Sequence, residues 1–170
     1  MEFTIACRGV LFALSAAQKE HLLSFDTDEK RLEYVQEEIE EPWDEAHLLQ
    51  TDKAWDAIHR CLTDGTITVG RCSSPLGKLI LGGTQLYSDP QRYIINLTEC
   101  GELPEISAAL KAFTKEFFKA RYDQLGSTDY PQEFISEQDW EYTWDWFSGI
   151  PEFVDRAVQE GRSIIFTVDQ

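Results

Sequence analysis

Thr51-Asp52-Lys53-Ala54-Trp55-Asp56-Ala57-Ile58-His59-Arg60-Cys61-Leu62-Thr63 sets a tryptophan, a histidine, acids and bases side by side. Trp55, Ile58 and Leu62 recur at helical spacing and make one apolar stripe. Thr51 or Asp52 stands where an N-cap belongs, and Gly65 stands where a left-handed residue ends a helix. Asp56 and Arg60 fall one turn apart, the spacing of a surface ion pair. The expectation is a helix that anchors its apolar side on a sheet and keeps its ionic side within reach of water.

Outward from this helix, both chain ends read as strands. Phe3, Ile5 and Cys7 alternate and run into Val10-Leu11-Phe12, so residues 3–12 form a first strand. Ser163-Ile164-Ile165-Phe166-Thr167-Val168 is apolar enough to lie centrally in a sheet. Tyr93-Ile94-Ile95-Asn96-Leu97 is a strand in mid-chain, and Thr66 to Arg71 reads as a short extended piece. Lys78 to Leu81 fits a strand or a short helix, ended by Gly82-Gly83.

Helical signals fill the gaps. Ser15-Ala16-Ala17-Gln18 is a capping box that opens a short helix to about Ser24, with Leu22 and Leu23 facing in. Asp26 or Thr27 caps a helix from Asp28 to Glu40, with Leu32, Val35 and Ile39 as its stripe and Pro42 as its stop. Glu37, Glu38, Glu40 and Glu41 crowd the end where the helix dipole disfavours acids, as a solvated terminus or a surface for a basic partner. Pro104 to Gln124 predicts one long helix with Ile106, Leu110, Phe113, Phe117 and Ala120 in line. Ser136 opens a helix carrying Trp140, Tyr142, Trp144, Trp146 and Phe147; Gly149-Ile150-Pro151 breaks it, and a last helix runs from Pro151 to Gly161. Strands at both ends and in the middle, without βαβ alternation, argue for α+β: a single compact domain over residues 1–170, with a small mixed sheet that includes both terminal strands and helices packed on it.

Composition narrows the function classes. Thirty-one acids against 15 bases leave a formal net charge of −16, which repels phosphate backbones and anionic lipid, so neither nucleic acid nor membrane is an expected partner. The same charge favours encounter with a basic protein, or serves solubility alone. Met1-Glu2-Phe3-Thr4-Ile5 lacks the basic start of a signal peptide, and the expected setting is cytoplasmic. Cys7, Cys61, Cys72 and Cys100 form no Cys-x-x-Cys pair and read as reduced thiols.

Asp52-Lys53-Ala54-Trp55-Asp56-Ala57-Ile58-His59, followed by Leu62-Thr63, resembles the signature of the YfbM-like family of bacterial proteins. Pro75-Leu76 with Leu81-Gly82-Gly83, Ala108-Ala109-Leu110, Arg121-Tyr122 and Glu160-Gly161-Arg162 extend the likeness in the same order over most of the chain. Asp64 stands where many relatives carry glycine, and Gly149-Ile150-Pro151 interrupts a stretch expected to be more continuously helical. The resemblance implies one α+β domain in the bacterial cytoplasm. The family has no agreed activity, so it hands over no catalytic residues.

The candidate chemistry therefore comes from the residues themselves. His59 follows Trp55 by four positions and Asp56 by three, and a carboxylate beside an imidazole is a general-base arrangement; Asp56 and Asp52 are its candidate partners. Such an enzyme would use Lys53, Arg60 or Arg121 to hold a small substrate, and would show His59 partly exposed in a concave site. A metal set of Asp52, Asp56 and His59 has a single local histidine, and no metal or cofactor is expected. Trp55, Tyr122, Trp140 and Trp144 are read either as core or, with Lys53, Arg60 and Arg121, as a binding face. The leading expectation is a non-enzymatic acidic protein that docks a basic protein partner, a chemistry shared with immunity-like proteins; the alternative is a small-molecule enzyme using a His59/Asp56 acid–base pair.

Overall fold

The computed structural model describes residues 7–70 and 72–170. The start of the predicted first strand, including Phe3 and Ile5, lies outside them. The strand itself runs later than its alternation suggests: β1 spans Gly9–Leu14 and β5 spans Ser163–Asp169. With β2 (Leu48–Asp52), β3 (Thr84–Gln85) and β4 (Tyr93–Thr98) they form one sheet in the order β2-β1-β5-β4-β3. Both terminal strands are in it, as expected, and they lie side by side. Among the described residues every pairing is antiparallel, so the sheet is not mixed.

The apolar run of β5 is explained by its central place and by cover on both faces. On one face Phe12, Leu14, Ile95, Leu97 and Ile165 pack with Leu22 of α1 (Ala16–Ser24) and with Val35 and Ile39. On the other face Leu11, Ala13, Ile94, Ile164, Phe166 and Val168 meet the remaining helices. These are α3 (Trp55–Leu62), α4 (Leu103–Lys111), α5 (Lys115–Asp123), α6 (Glu137–Ser148) and α7 (Ile150–Glu160). The architecture is a single α+β domain with helices on both sides of the sheet. Among the described residues no helix is long and apolar enough to cross a membrane.

Local signals hold where their partners are local. Ser15 accepts from the Gln18 amide, and the Gln18 side chain accepts from the Ser15 amide, closing the capping box. Leu22 is buried, but Leu23 is 40 % exposed rather than inward. Thr27 caps α2 (Asp28–Tyr34), which continues as a π-turn over Val35–Glu40. That turn rotates Glu40 away from the solvated cluster: its Oε1 accepts from the Tyr93 hydroxyl and, at 2.7 Å, from Thr167. Gly149 ends α6, and Gly161, at φ +65°, ends α7.

The long helix predicted over 104–124 is broken. Thr114 caps α5 through the Phe117 amide, and the break shifts the stripe by one residue. Phe118 is therefore buried, and Phe117 is 50 % exposed. Lys78–Leu81 is neither strand nor regular helix. A single 3-10 turn spans Leu76–Lys78, and Leu79, Ile80 and Leu81 follow it into the core.

Candidate functional site

Helix α3 begins later than its capping signals suggest. Thr51 and Asp52 are not its N-cap; they end β2, where the Thr51 hydroxyl donates to the Gly9 carbonyl at 2.9 Å. Asp52 takes a left-handed φ of +46°, and the chain turns there into the helix. Asp52 thus leaves the helix face it was expected to share with Asp56 and His59. It forms an ion pair with Arg8 at 3.1 Å and accepts from the Tyr142 hydroxyl at 2.7 Å. Burial, and then this bond to Asp52, raise the Tyr142 pKa to about 12. Lys53 next to it is exposed, its amide bonded to the same hydroxyl at 3.2 Å.

Every residue of α3 is buried, including its ionic side. The expected water-facing pair is instead an internal one. Arg60 donates to Asp56 at 2.7 Å, to the Gly65 carbonyl at 3.0 Å and to Asp129 at 2.5 Å. Gly65 can present that carbonyl because its φ of +93° turns the chain back under the helix end. Burial pushes the Asp56 carboxyl above the usual carboxylate range, and Arg60 opposes the shift. Arg60 also lies over the Tyr130 ring, 5.6 Å from its centre.

Asp56 is therefore committed to Arg60, and no His59/Asp56 pair forms. Only 3 % of His59 is exposed, so the partly exposed imidazole expected of a general base is not found. Burial and the neighbouring Arg60 charge lower its pKa to about 4, leaving the ring neutral near pH 7. Its Nδ1 is buried without a hydrogen-bond partner. His59 nevertheless lines a cleft of about 530 Å³, with Asp64, Cys72, Ser73, Ser74 and Arg121. Arg121 of α5 is held there by its Nε, which donates to the Cys61 carbonyl at 3.2 Å.

The other aromatic candidates are core. Trp55 has no exposed surface, lies tilted against Phe166 with ring centres 5.8 Å apart and donates its indole N–H to the Cys7 carbonyl at 2.9 Å. Tyr122 and Trp140 are buried against each other, and Trp140 also packs on Phe118. The Tyr122 hydroxyl donates to Asp139 at 2.5 Å. Trp144 is half-buried with Lys115 over its ring at 5.2 Å.

A second region was not singled out by the sequence. β2 lies at the edge of the sheet, and its outer side opens on a groove of about 410 Å³ lined by Trp43, Glu45, Leu48, Gln50, Asp145 and Trp146, among others. The Ala13 amide bonds the His47 carbonyl at 2.8 Å, so the ladder bonds with β1 fall on the odd residues, and the register pairs Leu11 with Leu49. The backbone groups of Leu48 and Gln50 consequently point outward. Neither lysine nor proline blunts this strand. Trp43, 38 % exposed, stands beside it in a left-handed turn with φ +48°, its ring edge-on to Phe12 at 6.1 Å. The signal available in the sequence was the pair Leu48-Leu49 just after the acidic turn, too short to be read as a strand.

Comparison with known proteins follows the fold closely. The description "Domain of unknown function (DUF1877)" matches residues 5–167. The chain belongs to this DUF1877 family. A search of curated proteins returned no match. Among solved structures, the fold is similar to a crystal structure titled as a protein of unknown function, YfbM from Escherichia coli. The two share 16 % identity, with a TM-score of 0.65 over 95 % of this chain and 99 % of that one. The likeness agrees with the resemblance carried by the Asp52–Thr63 stretch and is one of fold. The DUF1877 assignment supplies no activity.

Proposed function

We propose that this DUF1877 domain is a non-enzymatic acidic binding protein of the bacterial cytoplasm, and that it docks a basic protein partner along the outer edge of β2. The observation that carries this reading is the open edge itself. Leu48 and Gln50, whose backbone groups turn outward, share one groove with Trp43 and Trp146 and with Glu45 and Asp145. An extended segment that adds a strand gains main-chain hydrogen bonds, and flanking pockets select its side chains. Tryptophan is a frequent anchor at such surfaces. Lysines or arginines on the added segment would meet Glu45 and Asp145, with Asp44 and Glu41 close by in sequence and also exposed. The net charge of −16 steers a basic partner toward the domain and weakens its approach as salt rises. An immunity-like role, in which an acidic domain covers a basic partner, uses the same chemistry. The acid–base alternative is less well supported, because Asp56 is taken by Arg60 and His59 is buried.

A synthetic peptide of alternating lysine and valine is the direct probe. Titrated at low salt, it is expected to shift the Leu48 and Gln50 amides and the Trp43 and Trp146 indoles saturably. The Gln50→Pro variant removes an outward amide without breaking the ladder to β1, and should abolish those shifts. Shifts spread over the glutamates of α2 with none on β2 would reject the edge. Absence of any saturable binding by this peptide and by a helical lysine-rich peptide would reject the acidic docking role.

A further inference from the structure

We infer that the cleft beside His59 is a binding site for a small organic molecule bearing an oxyanion, a carboxylate or a phosphate, with Arg121 as the group that holds the charge. This site is separate from the β2 edge and does not depend on the docking reading.

The first observation is Arg121. In a chain with more than twice as many acids as bases, guanidinium groups find carboxylates easily. Arg8, Arg31, Arg60 and Arg162 each do so. Arg92 and Arg156, which pair with none among the described residues, are exposed. Arg121 is half-buried in the cleft wall and also pairs with none among them; its one hydrogen bond runs from Nε to the Cys61 carbonyl. That bond fixes the plane of the fork and leaves the terminal N–H groups for a ligand, the geometry that suits a carboxylate or phosphate.

The second observation is His59, whose buried Nδ1 has no partner. Nδ1 is covered in this structure, so an ordered water, or a ligand atom after a small shift of the wall, would complete its hydrogen bonding. The ring is neutral, so it adds a directional contact rather than a second charge. The third observation is the loop opposite. The Gly70 amide bonds the Leu81 carbonyl at 3.0 Å and the Cys72 amide bonds the Gly82 carbonyl at 2.7 Å, which seats the loop against the core. A Cβ on Gly82 would stand 2.3 Å from the Gly77 carbonyl oxygen and 2.5 Å from the Cys72 Cβ, so the seat requires glycine there. Ser73 and Ser74 line the cleft, and their hydroxyls are engaged nowhere among the described residues. The carboxylate of Asp64, also in the wall, is already bonded to the Thr66 amide and hydroxyl, at 3.1 and 2.7 Å. A cleft of about 530 Å³ fits a small metabolite-sized ligand.

The test titrates the full chain with inorganic phosphate and, separately, with acetate, at constant ionic strength against chloride, reading amide shifts. Saturable shifts at Gly70, Ser73 and Ser74 are expected, with Arg121→Gln weakening the affinity roughly tenfold or more and Arg121→Lys less, since it keeps the charge without the fork. The double variant Ser73→Ala/Ser74→Ala, on an exposed loop, guards against misfolding of the arginine variant and should also weaken binding. Phosphate and acetate responses together identify a general oxyanion site; a response to one alone names the ligand class. Shifts that do not saturate, or that persist unchanged in Arg121→Gln, overturn the assignment.

Discussion

The buried end of α3 and the open edge of β2 are neighbours in sequence and opposites in exposure. Asp56, His59 and Arg60 are the polar residues of the region, and the fold hides all three. Trp43 and Trp146 are among its most apolar, and they line an open groove with acids beside them. The difference teaches that residue type alone does not assign a face. A guanidinium can be internal when a carboxylate, a carbonyl and a second carboxylate all meet it, whereas a lone strand edge cannot bury itself.

The largest effect should come from the internal side. Arg60→Leu leaves Asp56 buried without its partner, and urea unfolding is expected to show a loss of ~3–5 kcal/mol. A loss under 1 kcal/mol would mean that the pair is solvated and the contrast between the two regions is false. Acidification tests the same side through His59. Its folded pKa of about 4 lies below the ordinary 6.5. As pH falls through 6.5 the unfolded chain takes up this proton while the folded chain does not until about 4. Stability from this group is therefore complete above the ordinary value and falls across that window, by ~3 kcal/mol in the limit. His59→Leu should flatten this limb of the pH profile, measured as the urea midpoint at successive pH values; an unchanged slope would show that the imidazole is hydrated.

Smaller effects are expected on the open side. Trp43→Ala removes an edge-on contact with Phe12 at a partly exposed position and should cost ~1 kcal/mol in thermal unfolding. A cost of ~3 kcal/mol or more would mark Trp43 as core rather than surface. Gln50→Lys is expected to change stability by less than ~0.5 kcal/mol. It should nevertheless weaken the lysine–valine peptide by charge, sharpening the contrast between a residue that holds the fold and one that serves a surface.

Much of the element order was legible because its causes are local. The capping box at Ser15 and Gln18, the cap at Ser136, the left-handed Gly161 and the buried run of β5 each depend on a few adjacent residues. The break between α4 and α5 is not legible because an apolar stripe with period near four runs across it. Only the cap at Thr114 and the burial of Phe118 in place of Phe117 reveal it. β2 was not legible because five residues carry too little periodicity, and the left-handed turn at Asp52 imitates a cap.

For the candidate site, the sequence alone set the apolar side of α3 against a sheet that includes both terminal strands, because Trp55, Ile58 and Leu62 demand a surface to pack on. Its amphipathic pattern pointed the ionic side toward water, and the fold instead buries Asp56, His59 and Arg60. That was settled by contacts across the chain: Arg60 reaches Asp129 over 69 residues, and Arg121 reaches Cys61 over 60. Hydrogen-bond partners so distant in sequence leave no periodic trace, and only the closed tertiary structure brings them within bonding distance.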